Sequence, residues 1–349
     1  MKKTIKFVTL FAALSLVTGV AVAPASQAAK IKACIVLDTG GIDDHSFNAG
    51  AWAGAQASKA LADVSYLPSA SSADYAPNIK KFLDQKCALI IGIGFAIGGD
   101  IVKAAKANPN TKFAILDDAG LDCNADYSVC NPVANLKGLT FSTDQAAFQA
   151  GYLSAGYSKT GTVATYGGAP YPTVTIFMDG FAKGVAYYNK LKGKKVEVLG
   201  WDSVKQTGEF IGDFANTAKA LQTSKNFEQA GADIILPVAG GLGAVTAQNS
   251  IASKKSKVIW VDTDGFVSAN KYRSVLLTSV QKGLGESVKS VINDVAAGKF
   301  TNSPYVGTLK NGGTKIAPFH DLIRVVPSAL RSEVAKLGTA VANGKVSAK

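Results

Sequence analysis

Residues 33–48 read ACIVLDTGGIDDHSFN, a short apolar run that ends in acid and glycine just before an expected helix. The run from Ala33 to Leu37 is continuously apolar and contains β-branched residues. This composition is typical of a parallel strand that is buried on both faces. The same succession of a short apolar run and a longer segment of helical periodicity recurs along the chain. The pattern predicts an α/β fold in which helices cover both faces of parallel sheets.

The predicted elements fall into two successive groups. In the first group we expect strands at 32–37, 63–67, 87–92, 112–116 and 136–142, and helices at 46–62, 75–85, 98–108 and 145–156. In the second group we expect strands at 162–166, 195–199, 233–238 and 257–261, and helices at 175–191, 214–229 and 241–253. Repetition of one architecture predicts two similar doubly wound parallel-sheet lobes instead of one large sheet.

The connection between the lobes is not marked by a linker rich in proline and serine. We therefore predict several short crossings, near 140–143, 262–265 and 305–311. This places 30–140 and 265–304 in lobe 1, and 141–264 and 305–349 in lobe 2.

The N-terminus has the pattern of a secretory leader. Three lysines fall within residues 1–6, an uncharged apolar run covers 7–23, and small residues at 24–29 form a cleavage site. We predict a signal peptide at 1–28 and an exported chain, in the periplasm or on the exterior of the cell envelope. A single membrane anchor is the alternative, but the apolar run is short for a bilayer span. No cysteine directly follows the run, so we expect no lipid anchor.

The chain is basic but its cations are dispersed. The formal net charge is +12, and loss of the three leader lysines leaves +9. No basic stripe, helix-turn-helix spacing or metal-finger spacing favours a nucleic-acid partner. We interpret the excess as a solvated basic surface that is attracted to an anionic envelope. About 320 residues remain after the leader, which is enough for two domains with their own cores.

Four cysteines in an exported chain favour disulfides over metal ligation. Cys123 and Cys130 bracket a short polar loop, and we predict that they form a bridge. Cys34 and Cys87 each begin an apolar strand. They form a second bridge if those strands are neighbours, and are otherwise two buried free thiols.

Several predicted strands end in acidic residues, among them Asp38, Asp117 and Asp262. In doubly wound sheets, ligands bind at the carboxyl ends of the strands. The alternative for each acid alone is a helix cap. Because the feature recurs at several strand ends, we expect these carboxylates to meet a ligand.

Motifs that would indicate an enzyme are weak. The glycine clusters at 92–99 and 240–243 lack the Lys-Ser or Lys-Thr of a phosphate loop, and we expect Gly240 to let backbone approach a ligand. Only His45 and His320 offer imidazole bases, and no Gly-x-Ser-x-Gly elbow is present. A triad of His45 with its neighbouring acids is less simple than a helix-capping role. We therefore predict a protein that is not an enzyme and has no cofactor or metal site.

The segment from Asp38 to Asn48 resembles the first motif of the basic membrane protein family, written approximately D-x-G-G-x-x-D-x-S-F-N. The resemblance continues through 113–117, 145–151 and 278–282, and covers nearly the whole mature chain. Members of this family include purine-nucleoside receptors of ABC importers. The resemblance implies the type I periplasmic binding protein fold, in which two doubly wound lobes are joined by three crossings.

The resemblance also implies a ligand site. In the family a purine stacks between the Phe of the first motif, here Phe47, and a Phe of the second lobe, which falls on Phe214 by counting back from Gly231. Both residues would otherwise be core residues of amphipathic helices, and Asp264 is an alternative to Asp262 as the ribose acceptor. Together with the strand-end and glycine arguments, the predicted ligand-binding set is Asp38, Phe47, Asn48, Asp117, Phe214, Gly240, Asp262 and Lys282.

The resulting functional hypothesis is a monomeric solute receptor that closes on a nucleoside-like ligand and delivers it to the permease of an ABC importer. The same fold binding a sugar or a signalling molecule is the nearest alternative. An extracytoplasmic nucleoside hydrolase that uses the acids at 38–44 is a further alternative. The chain departs from the family at the missing lipobox cysteine and at 262–265, which reads DTDG where the family often has D-x-D-Q.

Overall fold

The structure, a computed structural model, describes residues 29–349 together with Met1. The predicted signal peptide at 1–28 therefore lies outside the described residues, apart from Met1. Among the helices of the described part, none has both the length and the apolar character that a bilayer crossing requires.

Strands and helices alternate along the chain as the hydrophobic pattern predicts. The strands are β1 (Ile31–Val36), β2 (Ala62–Leu67), β3 (Leu89–Ile93), β4 (Lys112–Leu116), β5 (Leu121–Cys123), β6 (Cys130–Pro132), β7 (Leu136–Phe141), β8 (Thr162–Gly167), β9 (Glu197–Leu199), β10 (Trp201–Asp202), β11 (Thr207–Gly208), β12 (Ile234–Val238), β13 (Lys257–Asp262), β14 (Leu276–Lys282), β15 (Tyr305–Gly307) and β16 (Thr314–Ile316). The helices are α1 (Phe47–Gln56), α2 (Tyr75–Asp84), α3 (Gly98–Ala107), α4 (Thr143–Tyr157), α5 (Pro172–Lys192), α6 (Thr217–Gln229), α7 (Gly243–Ser253), α8 (Gly265–Ser268), α9 (Leu284–Ala296) and α10 (Ser328–Ala342).

The strands form two six-stranded sheets, one in each lobe. The lobe 1 sheet has the order β15-β7-β4-β3-β1-β2 and is parallel throughout. The lobe 2 sheet has the order β16-β14-β13-β12-β8-β9, in which only β16 is antiparallel to its neighbour. Strands β7, β4, β3, β1 and β2 thus correspond in position to β14, β13, β12, β8 and β9. The predicted α/β fold with two doubly wound lobes is confirmed.

Three chain crossings join the lobes, and two of them depart from the sequence-based boundaries. The first crossing connects β7 to α4, within the predicted segment 140–143. The predicted crossing at 262–265 is wrong, because β14 pairs in parallel with β13 and so keeps 265–282 in lobe 2. The chain instead crosses between β14 and α9.

The third crossing runs from β15 to β16. Because β15 pairs with β7, residues 305–307 belong to lobe 1 and not, as predicted, to lobe 2. The crossing segments are tied to each other: the Ser142 backbone N–H donates to the Gly307 carbonyl at 2.7 Å, and the Gly283 N–H donates to the Gly313 carbonyl at 2.8 Å. Backbone hydrogen bonds therefore link the three crossing segments to one another.

The sequence analysis predicted no individual helix or strand after residue 261. Each helix and strand predicted before that residue is present. Helix α1 is shorter than predicted because the chain turns after Gln56 to start β2. Helix α5 begins earlier, at Pro172, since proline at the first helical position costs no hydrogen bond.

Each lobe buries apolar side chains on both faces of its sheet. In lobe 1, α1 and α9 cover one face, while α2 and α3 cover the other. In lobe 2, α4, α5 and α10 cover one face. Helices α4 and α5 approach so closely that a Cβ at Gly184 would collide with the Phe148 carbonyl, and α1 meets α9 in the same way where Gly54 faces Gly285. Close helix contact of this kind requires glycine.

Both cysteine pairs are bridged. Cys123 and Cys130 close the β5–β6 hairpin, as predicted. Cys34 and Cys87 also form a disulfide, which selects the first of the two alternatives that the sequence left open. The reason is topological: β1 pairs directly with β3, which begins just after Cys87.

The α4–α5 contact yields a stability prediction. Gly184→Ala forces the two helices apart, so we expect a loss of about 1–3 kcal/mol in the free energy of unfolding, measured by urea denaturation. Gly99→Ala is the matched control, because it lies in helix α3 and a Cβ there meets nothing within 4 Å. We expect that control to change stability by less than about 1 kcal/mol, in the stabilising direction. Equal effects of the two substitutions would contradict the packing argument.

Candidate functional site

A cavity of about 240 Å³ lies between the lobes, at the carboxyl ends of both sheets. All eight residues of the predicted ligand-binding set line it: Asp38, Phe47, Asn48, Asp117, Phe214, Gly240, Asp262 and Lys282. The structure therefore brings together residues that are separated by more than two hundred positions in the sequence. Their role in binding a ligand remains a prediction.

Asp117 and Asp262 occupy equivalent places in the two lobes. Asp117 follows β4, Asp262 ends β13, and these strands have the same position in their sheets. Both residues have left-handed backbone, with φ of 63° and 69°. This conformation is costly for a residue with a Cβ and tends to persist where surrounding structure enforces it. The duplicated turn directs one carboxylate from each lobe into the same cavity.

Lys282 is the cation between these acids. It ends β14 and is buried, with 8% of its surface exposed. Its ammonium forms an ion pair with Asp117 across the cleft, and lies 3.6 Å from Oδ1 of Asp262. It also lies 5.1 Å from the ring centre of Phe47 and 4.9 Å from that of Phe177. Lys282 is thus a buried residue at the end of a strand and not an exposed surface lysine.

The electrostatics of Lys282 follow from these neighbours. Burial alone would lower the pKa of its ammonium, but the carboxylates of Asp117 and Asp262 outweigh that effect and raise the pKa above its usual value. Lys282 therefore stays protonated at neutral pH and supplies hydrogen-bond donors to the cavity.

Asp44 organises the start of α1. Its carboxylate accepts the backbone N–H groups of Ser46 at 3.0 Å, Asn48 at 2.8 Å and Ala49 at 3.0 Å. Burial raises its pKa to about 6, against the lowering effect of these hydrogen bonds. Asp44 thus fixes the helix start that carries Phe47 and Asn48, and sequence reasoning had not placed it in the site.

Asn48 and Asp38 form a second polar group in the cavity. The Asn48 amide nitrogen donates to Oδ1 of Asp38 at 2.7 Å, and the Gly40 N–H donates to the same oxygen at 2.9 Å. Burial raises the pKa of Asp38, although the Asn48 hydrogen bond lowers it, and repulsion from Asp262 adds to the rise. Oδ1 of Asn48 is buried and has no hydrogen-bond partner among the residues that the structure describes.

Hydrogen bonds hold the two lobes together at the edge of the cavity. The Ser46 hydroxyl donates to Oδ2 of Asp262 at 2.6 Å, and the Thr263 hydroxyl donates to the His45 carbonyl at 3.0 Å. The His45 side chain is exposed. Asp264 does not line the cavity, because it caps α8 and lies 2.8 Å from Nε2 of His320. Of these two acids, Asp262 lines the cavity and Asp264 does not.

Aromatic side chains from both lobes line the cavity, and four of them were missed as site residues. Phe47 begins α1 in lobe 1, and Phe214 lies in the loop before α6 in lobe 2. Tyr75, Phe95, Tyr171 and Phe177 also line it. The Tyr171 ring is 5.5 Å from Phe95 in lobe 1 and 6.2 Å from Phe214, which it stacks on at 30°.

The duplicated architecture gives a signal for one of these residues. The short helical turns after β3 and β12 are equivalent, and the first begins at Phe95 where the second begins at Gly240. Gly240 has φ of 53°, and a Cβ there would approach the Phe214 ring. Comparing the two repeats position by position would have placed Phe95 in the site.

The cavity combines flat apolar walls with many acceptors and one cation. Within residues 29–349, no cluster of three or more His, Cys, Asp or Glu residues is arranged to hold a metal ion. Asp44 is occupied by backbone N–H groups, so it is not free to act with His45. The arrangement suits reversible capture of a planar ligand that carries several hydrogen-bond donors.

Comparisons with known proteins agree with this arrangement. The model of the Bmp family, described as ABC transporter substrate-binding protein PnrA-like, matches residues 31–317. The ABC transporter nucleoside-binding protein BmpA of Lactococcus lactis subsp. cremoris is 29% identical over 337 residues, which cover 90% of this chain and 88% of that protein. The CD4+ T-cell-stimulating antigen of Listeria monocytogenes is 31% identical over 301 residues, which cover 81% and 75% of the two chains.

Solved structures share the fold. An ABC transporter solute-binding protein from Aeropyrum pernix superposes with a TM-score of 0.77 at 20% identity, covering 90% of this chain and 92% of that one. A periplasmic solute-binding protein from Actinobacillus succinogenes with bound D-allose superposes with a TM-score of 0.59 at 14% identity, covering 82% and 97%. At these identities the likeness establishes the fold alone.

The buried ion pair yields a pH-dependent prediction. Lys282→Met leaves Asp117 and Asp262 buried without a counter-charge, so we expect a loss of about 3–5 kcal/mol in unfolding free energy at pH 7.5. Burial already raises the pKa of Asp117 to about 6 although Lys282 lowers it, so loss of the ammonium should raise the pKa of this carboxyl in the folded chain further above its unfolded value. The folded variant therefore binds more protons, and its deficit should shrink as the pH falls towards about 5.

Urea denaturation at both pH values measures this effect. Lys289→Met is the control, since Lys289 is exposed on α9 and its loss should cost little at either pH. A deficit for Lys282→Met that does not change with pH would contradict the assigned charge pairing.

Proposed function

This chain belongs to the Bmp family of PnrA-like ABC transporter substrate-binding proteins, and we propose that it captures a purine nucleoside between its two lobes. Substrate-binding proteins of ABC importers are extracytoplasmic and pass small molecules to a permease. We propose that this chain acts in that way as a monomer, without chemical change of the ligand.

One observation carries the proposal: aromatic side chains from opposite lobes line the same small cavity as four carboxylates and a buried lysine. A purine has two apolar faces, and Phe47 and Phe214 are the aromatic residues proposed to cover them. Aromatic stacking favours planar partners, which an aliphatic ligand cannot supply. The relative from Lactococcus lactis, which is named as nucleoside-binding, supports the same ligand class.

The polar groups suit the two parts of a nucleoside. Vicinal ribose hydroxyls can donate to the carboxylates of Asp117 and Asp262 and accept from the Lys282 ammonium. Asn48 and Asp38 stand apart from the acid–lysine cluster and bond to each other. We assign them to the base, because the Asp38 carboxylate lines the cavity and can accept a ring or exocyclic N–H group.

Lobe closure would couple binding to transport. The bonds from Ser46 to Asp262 and from Thr263 to His45 join the lobes directly. A ligand that contacts Phe47 in lobe 1 and Phe214 in lobe 2 adds its own contacts to this closed form and shifts the population towards it. The closed form is then the one that a permease would recognise.

Calorimetric titration with inosine, adenosine and guanosine tests the ligand. We expect saturable binding, weakened about 5- to 150-fold in Phe47→Ala because stacking of a base on an aromatic ring is worth roughly 1–3 kcal/mol. Tyr127→Ala is the control, since this aromatic side chain is 75% exposed and far from the cavity lining. Absence of binding to all three nucleosides would reject the purine assignment. Binding of a sugar that survives loss of both Phe47 and Phe214 would replace it.

A pair of substitutions distinguishes the role of Asp262 from that of Asp264. Asp262→Asn removes a charged acceptor in the cavity, and we expect about 10- to 150-fold weaker nucleoside binding, since a hydrogen bond to a charged group is worth roughly 1.5–3 kcal/mol. Asp264→Asn changes an acid only two positions away that does not line the cavity, and should leave affinity within about threefold. The same purified protein should release no free base from inosine. Release of many molecules of free base per protein molecule would favour a nucleoside hydrolase.

A further inference from the structure

A second concave surface lies at the opposite end of lobe 2, where the parallel strands of its sheet begin. Its lining comes from the chain after α4, the chain after α7, the start of β13 and the residues before β14. Four lysines are among the lining residues, and we call this surface the basic groove: Lys159, Lys254, Lys255 and Lys257.

The acids near the basic groove are already engaged. Asp233, the one acid among the lining residues, accepts the Ser158 hydroxyl at 2.7 Å and the backbone N–H groups of Lys159 at 2.6 Å and Thr160 at 3.2 Å. Glu228, buried behind the groove, accepts the hydroxyls of Ser253 and Ser256. In the described part of the chain, no ion pair joins any of the four lysines to a carboxylate.

Lys257 indicates that the groove is suited to an anion. It is only partly exposed, and its ammonium donates to the Ser274 carbonyl at 2.9 Å. Burial lowers its pKa, because no carboxylate offsets the loss of water. Lysines near helix ends offset the helix dipole, which accounts for Lys254 at the end of α7. Lys257 begins a strand, so this explanation does not apply to it.

The positive surface is wider than one small anion. Further cations precede β9 and β14 at the same end of the strands: Lys194, Lys195, Lys271 and Arg273, of which Arg273 pairs with Asp321. Ile251 in the groove is 38% exposed, which adds an apolar contact among the cations. An extended anionic surface complements this arrangement better than a single phosphate does. This end of the strands is also remote from the cavity, which lies at their other end. Contact with a membrane there leaves the cleft accessible.

We propose that the basic groove and the adjoining end of the sheet, where the strands begin, dock on the anionic phospholipid surface of a membrane. Each lysine near such a surface contributes about 1 kcal/mol, and the attraction declines within a Debye length. Docking would keep the receptor close to a membrane-embedded transporter whatever ligand it carries. This inference rests on the charge distribution of lobe 2 and does not depend on the nucleoside assignment.

Vesicle sedimentation tests the proposal with the mature full-length chain. We expect binding to vesicles of phosphatidylglycerol and phosphatidylcholine in equal parts, little binding to phosphatidylcholine alone, and a decline with added salt. Lys254→Glu combined with Lys255→Glu should weaken binding at least about 25-fold, since each lysine accounts for roughly a fivefold factor. Nucleoside titration of the same variant should be unchanged, which separates failure of docking from failure of the ligand site.

The control changes net charge by the same amount elsewhere. Lys289→Glu combined with Lys299→Glu alters two exposed lysines in lobe 1, and should weaken vesicle binding by less than about threefold. Equal losses in the two double variants would overturn the proposal, because net charge alone would then explain the attraction. Thermal stabilisation by inorganic phosphate without vesicle binding would also overturn it, in favour of a soluble anion.

Discussion

The structure depends on a buried ammonium held between carboxylates of two different lobes. Removing Lys282, Asp117 and Asp262 from water costs several kcal/mol per ion, and their mutual attraction offsets this only if the geometry is close. That geometry exists only when the lobes approach each other, because Asp117 belongs to lobe 1 while Lys282 and Asp262 belong to lobe 2. The pairing of Lys282 with Asp117 therefore joins the two lobes at the floor of the cavity.

Duplication of one sheet architecture explains how the cavity is built, and differences between the copies explain why its two walls differ. The equivalent strands β4 and β13 deliver equivalent acids in the same left-handed backbone. The equivalent turns after β3 and β12 differ, because one carries Phe95 and the other Gly240. Phe95 adds bulk in lobe 1, whereas Gly240 leaves open backbone beside Phe214 in lobe 2. Tyr171 lies between the Phe95 and Phe214 rings. The two lobes therefore contribute different walls to the cavity.

Lobe 2 separates opposite charges along its strands. The carboxyl ends of the strands carry Asp262 and meet the cavity, whereas the beginnings of the strands carry the basic groove around Lys257. Parallel strands make this separation simple, since all of them present the same end to the same side. The proposed ligand capture and the proposed membrane docking can therefore be tested by separate substitutions, because no side chain lines both surfaces.

The sequence by itself determined the fold class, the two lobes and the segment 38–48, because buried parallel strands leave continuous apolar runs and acids at their ends. It also predicted a ligand set whose members all line one cavity, although Phe47, Asn48, Phe214 and Lys282 came from the resemblance to the family. It could not place the crossing after β14, since the pairing of β14 with β13 is decided by hydrogen-bond register and not by local pattern. Tyr75, Phe95, Tyr171 and Phe177 were missed because an aromatic residue near a helix start has the same local signal in a core and in a site.

Only tertiary structure decided which charges meet. The partner of Lys282 is 165 positions away, and the hydroxyl that binds Asp262 is 216 positions away. Tertiary structure also selected Asp262 over Asp264, by giving the second acid to α8 and His320. The physical reason is that Coulomb attraction and desolvation act through space, so their balance is fixed only once both lobes are folded and closed.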